Sequence, residues 1–194
     1  MRSTPSFAGR RAVVLHRPDP GIERLTRQLE RLGLSVTVAW EPIGAGAPEC
    51  DIVLVDADQG WSGLLPWDGA AAPVPVVALL ASEAPGRIAW AMEQGAVAVI
   101  AKPIAASAVY PALVLAAALY AERRDLAERM ARLEERVRMR PLVHAGVRAI
   151  MAARKVDEEA AYRLLRETAM RRRLTMEHVA AGIVAGAEPL PEVG

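Results

Sequence analysis

The chain has 194 residues, 53% hydrophobic and 4% aromatic, with 24 Lys+Arg against 23 Asp+Glu. That length holds one ordinary domain and a small one, with a core of Ala, Val, Leu, Ile and Met rather than of rings. A single cysteine, Cys50, excludes an internal disulfide and a thiolate metal site, and the lack of a long uncharged apolar run argues against a signal peptide or membrane span, so the chain reads as cytoplasmic.

Residues 1–10 are small and polar and read as a disordered N-terminus. Arg11–Leu15 contains AVVL, an apolar run of strand length. Gly21–Leu32 follows with Ile22, Leu25, Leu29 and Leu32 at helical spacing, and Gly33 ends that helix. Ser35–Ala39 alternates as a second strand. Asp51–Val55 is a third, apolar throughout and therefore buried on both faces. Gln59–Ala72, with WSGLLPWDGAA, reads as a loop or one short helical turn. Pro75–Leu80 is a fourth strand, Ala84–Gln94 a helix ended by Gly95, and Ala96–Ile100 a fifth strand. Strands alternating with helices call for a parallel sheet with helices on both faces over residues 11–106.

From Ser107, which would cap it, a long helix is expected to 139. Val109, Ala112, Ala116, Leu119, Arg123, Leu126, Met130, Leu133 and Val137 alternate spacings of three and four, a heptad seam flanked by Glu128, Arg129, Arg132, Glu134, Glu135 and Arg136. Such a helix outruns the domain before it and asks for a partner helix. A dimeric coiled coil is expected, its seam carried by Leu119, Leu126, Met130, Leu133 and Val137, with charged Arg123 at a core position.

Pro141 is expected to break that helix or open the next. Three short helices then follow over 140–186: Val143–Ala153, one capped by Asp157, and one capped by Thr175, with a loose tail over 187–194. The charge is uneven. Residues 121–173 hold 15 Lys+Arg against 9 Asp+Glu, a surplus of six, while residues 1–120 hold 9 against 11. A local excess of this kind suits a polyanionic partner, and equally a solvated helical surface.

The first domain resembles a response-regulator receiver domain of flavodoxin-like, doubly wound α/β fold. DIVLVDA places Asp56 at the phospho-acceptor position, and AVAVIAKPI places Lys102 and Pro103 at the active-site lysine and its proline. The acidic pair that holds Mg²⁺ in that family is replaced by His16 and Arg17, Asp19 comes two residues late, and the Ser/Thr position is Leu80. The site is expected to be inactive, with Asp56 paired to Arg17 or Lys102. Trp61 or Trp67, in the loop-like stretch, is a candidate partner contact, and Trp90 a core residue.

The last domain resembles the ANTAR family, RNA-binding modules of bacterial antiterminators. Asp157-Glu158-Glu159, Ala161-Tyr162, Leu165-Arg166, Ala169 and Val179-Ala180 fit its pattern, whereas Gly146-Val147-Arg148 departs from it. The order of degenerate receiver, coiled coil and ANTAR, with HRPDPG, LGLSVTVAWEP and ETAMRRR, resembles the AmiR-like antiterminators. That resemblance implies a dimer that binds hairpins in a leader RNA and is held silent by a ligand-sensing protein of periplasmic-binding-protein fold. It implies no enzyme activity, cofactor or metal. RNA contacts are expected from Arg140, Arg148, Tyr162, Arg166, Arg171, Arg172 and Arg173, with two of the last three on RNA and the third solvated or paired with an acid. The Tyr162 ring serves either stacking or core packing. Two alternatives stay open: a phosphorylation-dependent ANTAR response regulator, and a DNA-binding regulator whose basic helix enters a major groove.

Overall fold

In the computed structural model, which describes residues 5–44 and 49–191, five short apolar runs pair into one parallel sheet. The strands are β1 (Arg11–Leu15), β2 (Ser35–Ala39), β3 (Ile52–Asp56), β4 (Val76–Leu80) and β5 (Ala96–Ala101), in the order β2-β1-β3-β4-β5. The side-chain period of two divides the strands between two faces. Val14, Leu54, Val77, Leu79 and Ile100 face one core with Ile22, Leu25 and Leu29 of α1 (Pro20–Arg31) and with Val109, Leu113 and Ala116 of α3 (Ala106–Arg154). Leu15, Val53, Val55, Val76 and Ala78 face the other, under α2 (Pro85–Glu93) and Leu64, Leu65 and Trp67 of the irregular β3–β4 connection. That connection has one 3₁₀ turn, Gly69–Ala71. β3 and β4 are buried at every position, as their unbroken apolar runs require, whereas β2 lies at an edge and is half exposed.

The chain splits into two compact units, residues 1–124 and 125–194, with the boundary inside α3. In the second unit the last turns of α3 pack with α4 (Glu158–Arg172) and α5 (Met176–Val184) around Val147, Ile150, Ala161, Leu165, Ala169, Val179, Ala180 and Ile183. A side chain at Gly146 would meet Ala180 at 2.9 Å, so glycine lets α3 and α5 approach closely there. Asp157 caps α4 by accepting from the Ala160 N–H, and Thr175 caps α5 by accepting from the His178 N–H.

Several expectations are corrected. The helix does not break at Pro141: α3 is continuous from Ala106 to Arg154. Pro141 withholds one N–H from the Val137 carbonyl, but both residues are exposed, and Val147 and Ile150 anchor the helix just beyond. Ser107 lies inside the first turn rather than at the cap. Val109, Ala112 and Ala116 belong to the first unit's core, so the free seam starts only at Leu119. The N-terminus is ordered at residues 5–10. Phe7 is buried, and the Gly9 N–H donates to the Gly33 carbonyl; residues 1–4 lie outside the described residues. The tail is not loose at 187–191 either. Leu190 packs on the second core, and Arg154 donates to the Leu190 and Pro191 carbonyls, while residues 192–194 lie outside the described residues.

Candidate functional site

Parallel strands deliver their carboxyl ends to one edge of a sheet, and here that edge gathers a charged cluster. Asp56 ends β3 at 2% exposure, His16 follows β1, and Lys102 follows β5. Lys102 Nζ lies 2.7 Å from Asp56 Oδ1 and 3.1 Å from Asp58 Oδ2. His16 Nε2 approaches Asp56 Oδ2 at 3.1 Å without hydrogen-bond geometry, while Nδ1 lies 2.6 Å from the Arg17 carbonyl oxygen. A carbonyl only accepts, so Nδ1 carries a hydrogen. Of the two partners expected for Asp56, Lys102 is the one it has; the Arg17 guanidinium sits over the Trp40 ring instead, 5.9 Å from its centroid.

Asp58 is the member that sequence reasoning missed. Its carboxylate accepts from the Ala81 and Ser82 N–H groups at 2.8 and 3.1 Å, tying the end of β3 to the end of β4. Its one sequence signal was its place two residues beyond a buried strand end. Asp19 accepts from the Gly21 and Ile22 N–H groups and so serves as the cap of α1. Leu80 offers only its carbonyl, which accepts from the Lys102 N–H at 2.7 Å. These residues do not fit a Mg²⁺ site. The late carboxylate is committed to a helix cap, Asp56 and Asp58 share one lysine, and the positions after β1 and at the end of β4 supply His16, Arg17 and Leu80 rather than carboxylate or hydroxyl oxygens.

Asp19 is held below the ordinary value of 3.8, chiefly by the Ile22 N–H, against burial and with help from the Gly21 N–H. Burial pushes the Asp58 carboxyl up, but the Ala81 N–H, Lys102 and the Ser82 N–H together outweigh it, and its pKa is also lowered from 3.8. Both groups therefore contribute stability that is present above pH 3.8 and lost as the pH falls through their lowered folded values. Chemical denaturation of the wild type and of Asp58→Asn across pH 2.5 to 6 is expected to show a shallower acid loss in the variant. Equal slopes would remove Asp58 from this role.

The second unit presents a different surface. On α4 the buried face carries Ala161, Leu165, Thr168 and Ala169. Tyr162, Arg166 and Met170 follow at i, i+4 and i+8 on an exposed side, with Tyr162 48% and Met170 70% exposed, and Arg173 is exposed just past the helix end. The Tyr162 ring is therefore not a core residue. Arg173 ends the helix with φ 56°, a left-handed conformation that costs a non-glycine residue roughly 1 kcal/mol. The three consecutive arginines diverge: Arg172 is paired with Glu188 of the tail, while Arg171 and Arg173 are exposed and unpaired among the described residues. Arg140 and Arg148 are exposed on α3. The seam residues Leu119, Leu126, Met130, Leu133 and Val137 are 40% to 63% exposed. Arg136 lies 3.8 Å from Glu177, and Arg129 pairs with Asp125. Trp61 is the exposed tryptophan of the loop stretch, stacked edge-on against Trp40, whereas Trp67 and Trp90 pack on the core.

A family model described as AmiR, N-terminal, matches residues 10–117, and one described as ANTAR domain matches residues 131–184. Transcriptional regulatory protein PdtaR of Mycobacterium tuberculosis, in the CDC 1551 / Oshkosh and H37Rv strains, is 32% identical over 106 residues, covering 55% of this chain and 52% of PdtaR. The matched region thus spans about half the length of these curated relatives. Among solved structures, response regulator StyR aligns with a TM-score of 0.53 at 19% identity, covering 89% of this chain and 99% of that one, a likeness of fold. No helix among the described residues is long and apolar enough to cross a membrane.

Proposed function

The chain belongs to the AmiR N-terminal family and carries an ANTAR domain behind that region, and on that premise we propose that it is a dimeric, cytoplasmic, RNA-binding transcription antitermination regulator governed by a protein partner. The observation that carries the reading is the exposed stripe Tyr162, Arg166 and Met170 on the side of α4 away from its packed face, with a second exposed guanidinium, Arg173, at the helix end. An exposed aromatic face stacks an unpaired base and guanidinium groups take phosphates, which is the chemistry of a hairpin loop rather than of a catalytic cleft. The domain has no catalytic role in this reading. Hairpin RNA from the leader transcript should bind with a salt slope set by several phosphate contacts, and duplex DNA of the same length far more weakly. Equal affinity and equal slopes for both would favour the DNA-binding alternative.

Control by a partner is supported by the closed charge cluster of His16, Asp56, Asp58 and Lys102. The first unit also leaves Trp61, Ile88, Met92 and Val99 exposed, apolar surface on which a protein can dock. A ligand-sensing repressor of periplasmic-binding-protein fold is the partner the family resemblance supports. The rival, a phosphorylation-dependent ANTAR response regulator, is favoured by one observation, the side-by-side placement of Asp56 and Lys102. Acetyl phosphate with Mg²⁺ is expected to leave the intact mass unchanged. A stable gain of one phosphoryl group that is lost in Asp56→Asn would establish the rival.

A further inference from the structure

Helix α1 carries Arg24, Arg27 and Arg31 at i, i+3 and i+7, a spacing that places three guanidinium groups along one side. Arg24 and Arg27 use only Nε locally, donating to the Pro20 and Glu23 carbonyls at 3.2 and 3.3 Å. Among the described residues none of the three is paired with a carboxylate. Like charges at this spacing weaken a helix, and the inner side of α1 already supplies its packing through Ile22, Leu25 and Leu29, so the stripe is not required for folding.

The three arginines line a groove of about 280 Å³ whose other wall is Ile104, Ala106 and Val109. That wall includes the first turn of α3, where the preceding residue, Ala105, has no side-chain acceptor and its carbonyl takes the Ala108 N–H. An inner pocket of about 180 Å³ shares Arg24 and Ile104 with the groove and reaches His16 and Lys102. His16 is 6% exposed, and its Nε2 lies 3.1 Å from Asp56 Oδ2 without hydrogen-bond geometry. The inner pocket opens at the carboxyl ends of β1 and β5. The carboxyl edge is the one at which open parallel sheets take their ligands.

We propose that this cleft binds a phosphate-bearing small molecule of nucleotide size. Arg27, Arg31 and the first turn of α3 hold its phosphates, Arg24 sits at the junction, and the apolar part of the ligand lies against Ile104 and Val109. Guanidinium groups match phosphate oxygens with paired N–H donors, and helix N–H groups add aligned dipoles. The one carboxylate on the inner wall, Asp19, has Oδ1 engaged by the Gly21 and Ile22 N–H groups, so the anion belongs in the outer groove. The site lies wholly in the first unit and is independent of the RNA reading.

The test is isothermal titration calorimetry on the full chain with adenosine and guanosine 5′-diphosphates, inorganic pyrophosphate and uncharged adenosine. At least one nucleoside diphosphate is expected to bind at roughly 100 µM or tighter, pyrophosphate more weakly, and adenosine not measurably. Arg27→Ala with Arg31→Ala, both exposed changes, should weaken the nucleotide more than tenfold while leaving circular dichroism and melting temperature unchanged. Arg31→Glu should abolish binding. No diphosphate binding up to millimolar concentration overturns the proposal, as does a double variant that binds like the wild type. Pyrophosphate binding as tightly as the nucleotides also overturns it, since the apolar wall then contributes nothing. If the double variant loses hairpin RNA while the wild type binds no nucleotide, the stripe belongs to an RNA surface and the proposal fails.

Discussion

Leu126→Asp combined with Leu133→Asp is expected to turn a dimer into a monomer without unfolding either unit. Both leucines are more than half exposed in the single chain, so neither supports its own unit's core. Covering a leucine contributes roughly 1.5–3 kcal/mol, and two such positions on each of two chains, replaced by carboxylates that face each other, should weaken association by several kcal/mol, a factor of about a thousand or more. Light scattering or sedimentation at low micromolar concentration reads this directly. Arg123 supplies the converse arm. It occupies a seam position with a charge, and Arg123→Leu should tighten the dimer. A double aspartate variant that still weighs as a dimer would show that the seam is not the interface, and attention would turn to exposed Ile88, Met92 and Val99.

The second large effect concerns the exposed side of α4. Arg166→Ala and Arg173→Gly are each expected to lower leader-RNA affinity while leaving the dimer intact. Each lost phosphate contact should reduce the salt slope by nearly one. Glycine at 173 is more informative than alanine, because it relaxes the left-handed backbone and should raise stability by up to about 1 kcal/mol while removing the charge. A variant that is more stable and binds less tightly separates function from folding. Arg172→Ala should cost less affinity than either, since that guanidinium is already paired with Glu188. Tyr162→Leu keeps the exposed apolar bulk and removes the ring. It should lower affinity by a base-stacking contribution of roughly 1–3 kcal/mol with no change in melting temperature. Fluorescence anisotropy over a salt series decides these points. Unchanged affinity in both Arg166→Ala and Arg173→Gly would place the RNA elsewhere on the unit.

The five strands and most of the helices, and the order in which they come, were legible in the chain alone; the exception is the break expected at Pro141. Alternation in Ser35–Ala39, the closed apolar run in Ile52–Asp56, the helical spacing of Ile22, Leu25 and Leu29, and the caps at Asp157 and Thr175 each depend on neighbours within a few residues, and a local pattern reports local geometry. That His16 and Arg17, and not carboxylates, follow β1 was equally plain, because it is a matter of residue type. What the fold added came from contacts between residues distant in sequence. Asp56 meets Lys102, 46 residues away in the chain, because parallel pairing brings the ends of β3 and β5 to one edge of the sheet, while Arg17 lies over Trp40 instead. Asp58 joined them because β4 ends beside it. Arg172 was set apart from its two neighbours by Glu188, and the tail was fastened by Arg154, through bonds that no spacing rule encodes. Pro141 lost its breaking effect because tertiary packing of Val147 and Ile150 outweighs one missing hydrogen bond. Periodicity determined which side of each element is apolar; only the tertiary structure decided which apolar sides stay uncovered, and which charges are already satisfied.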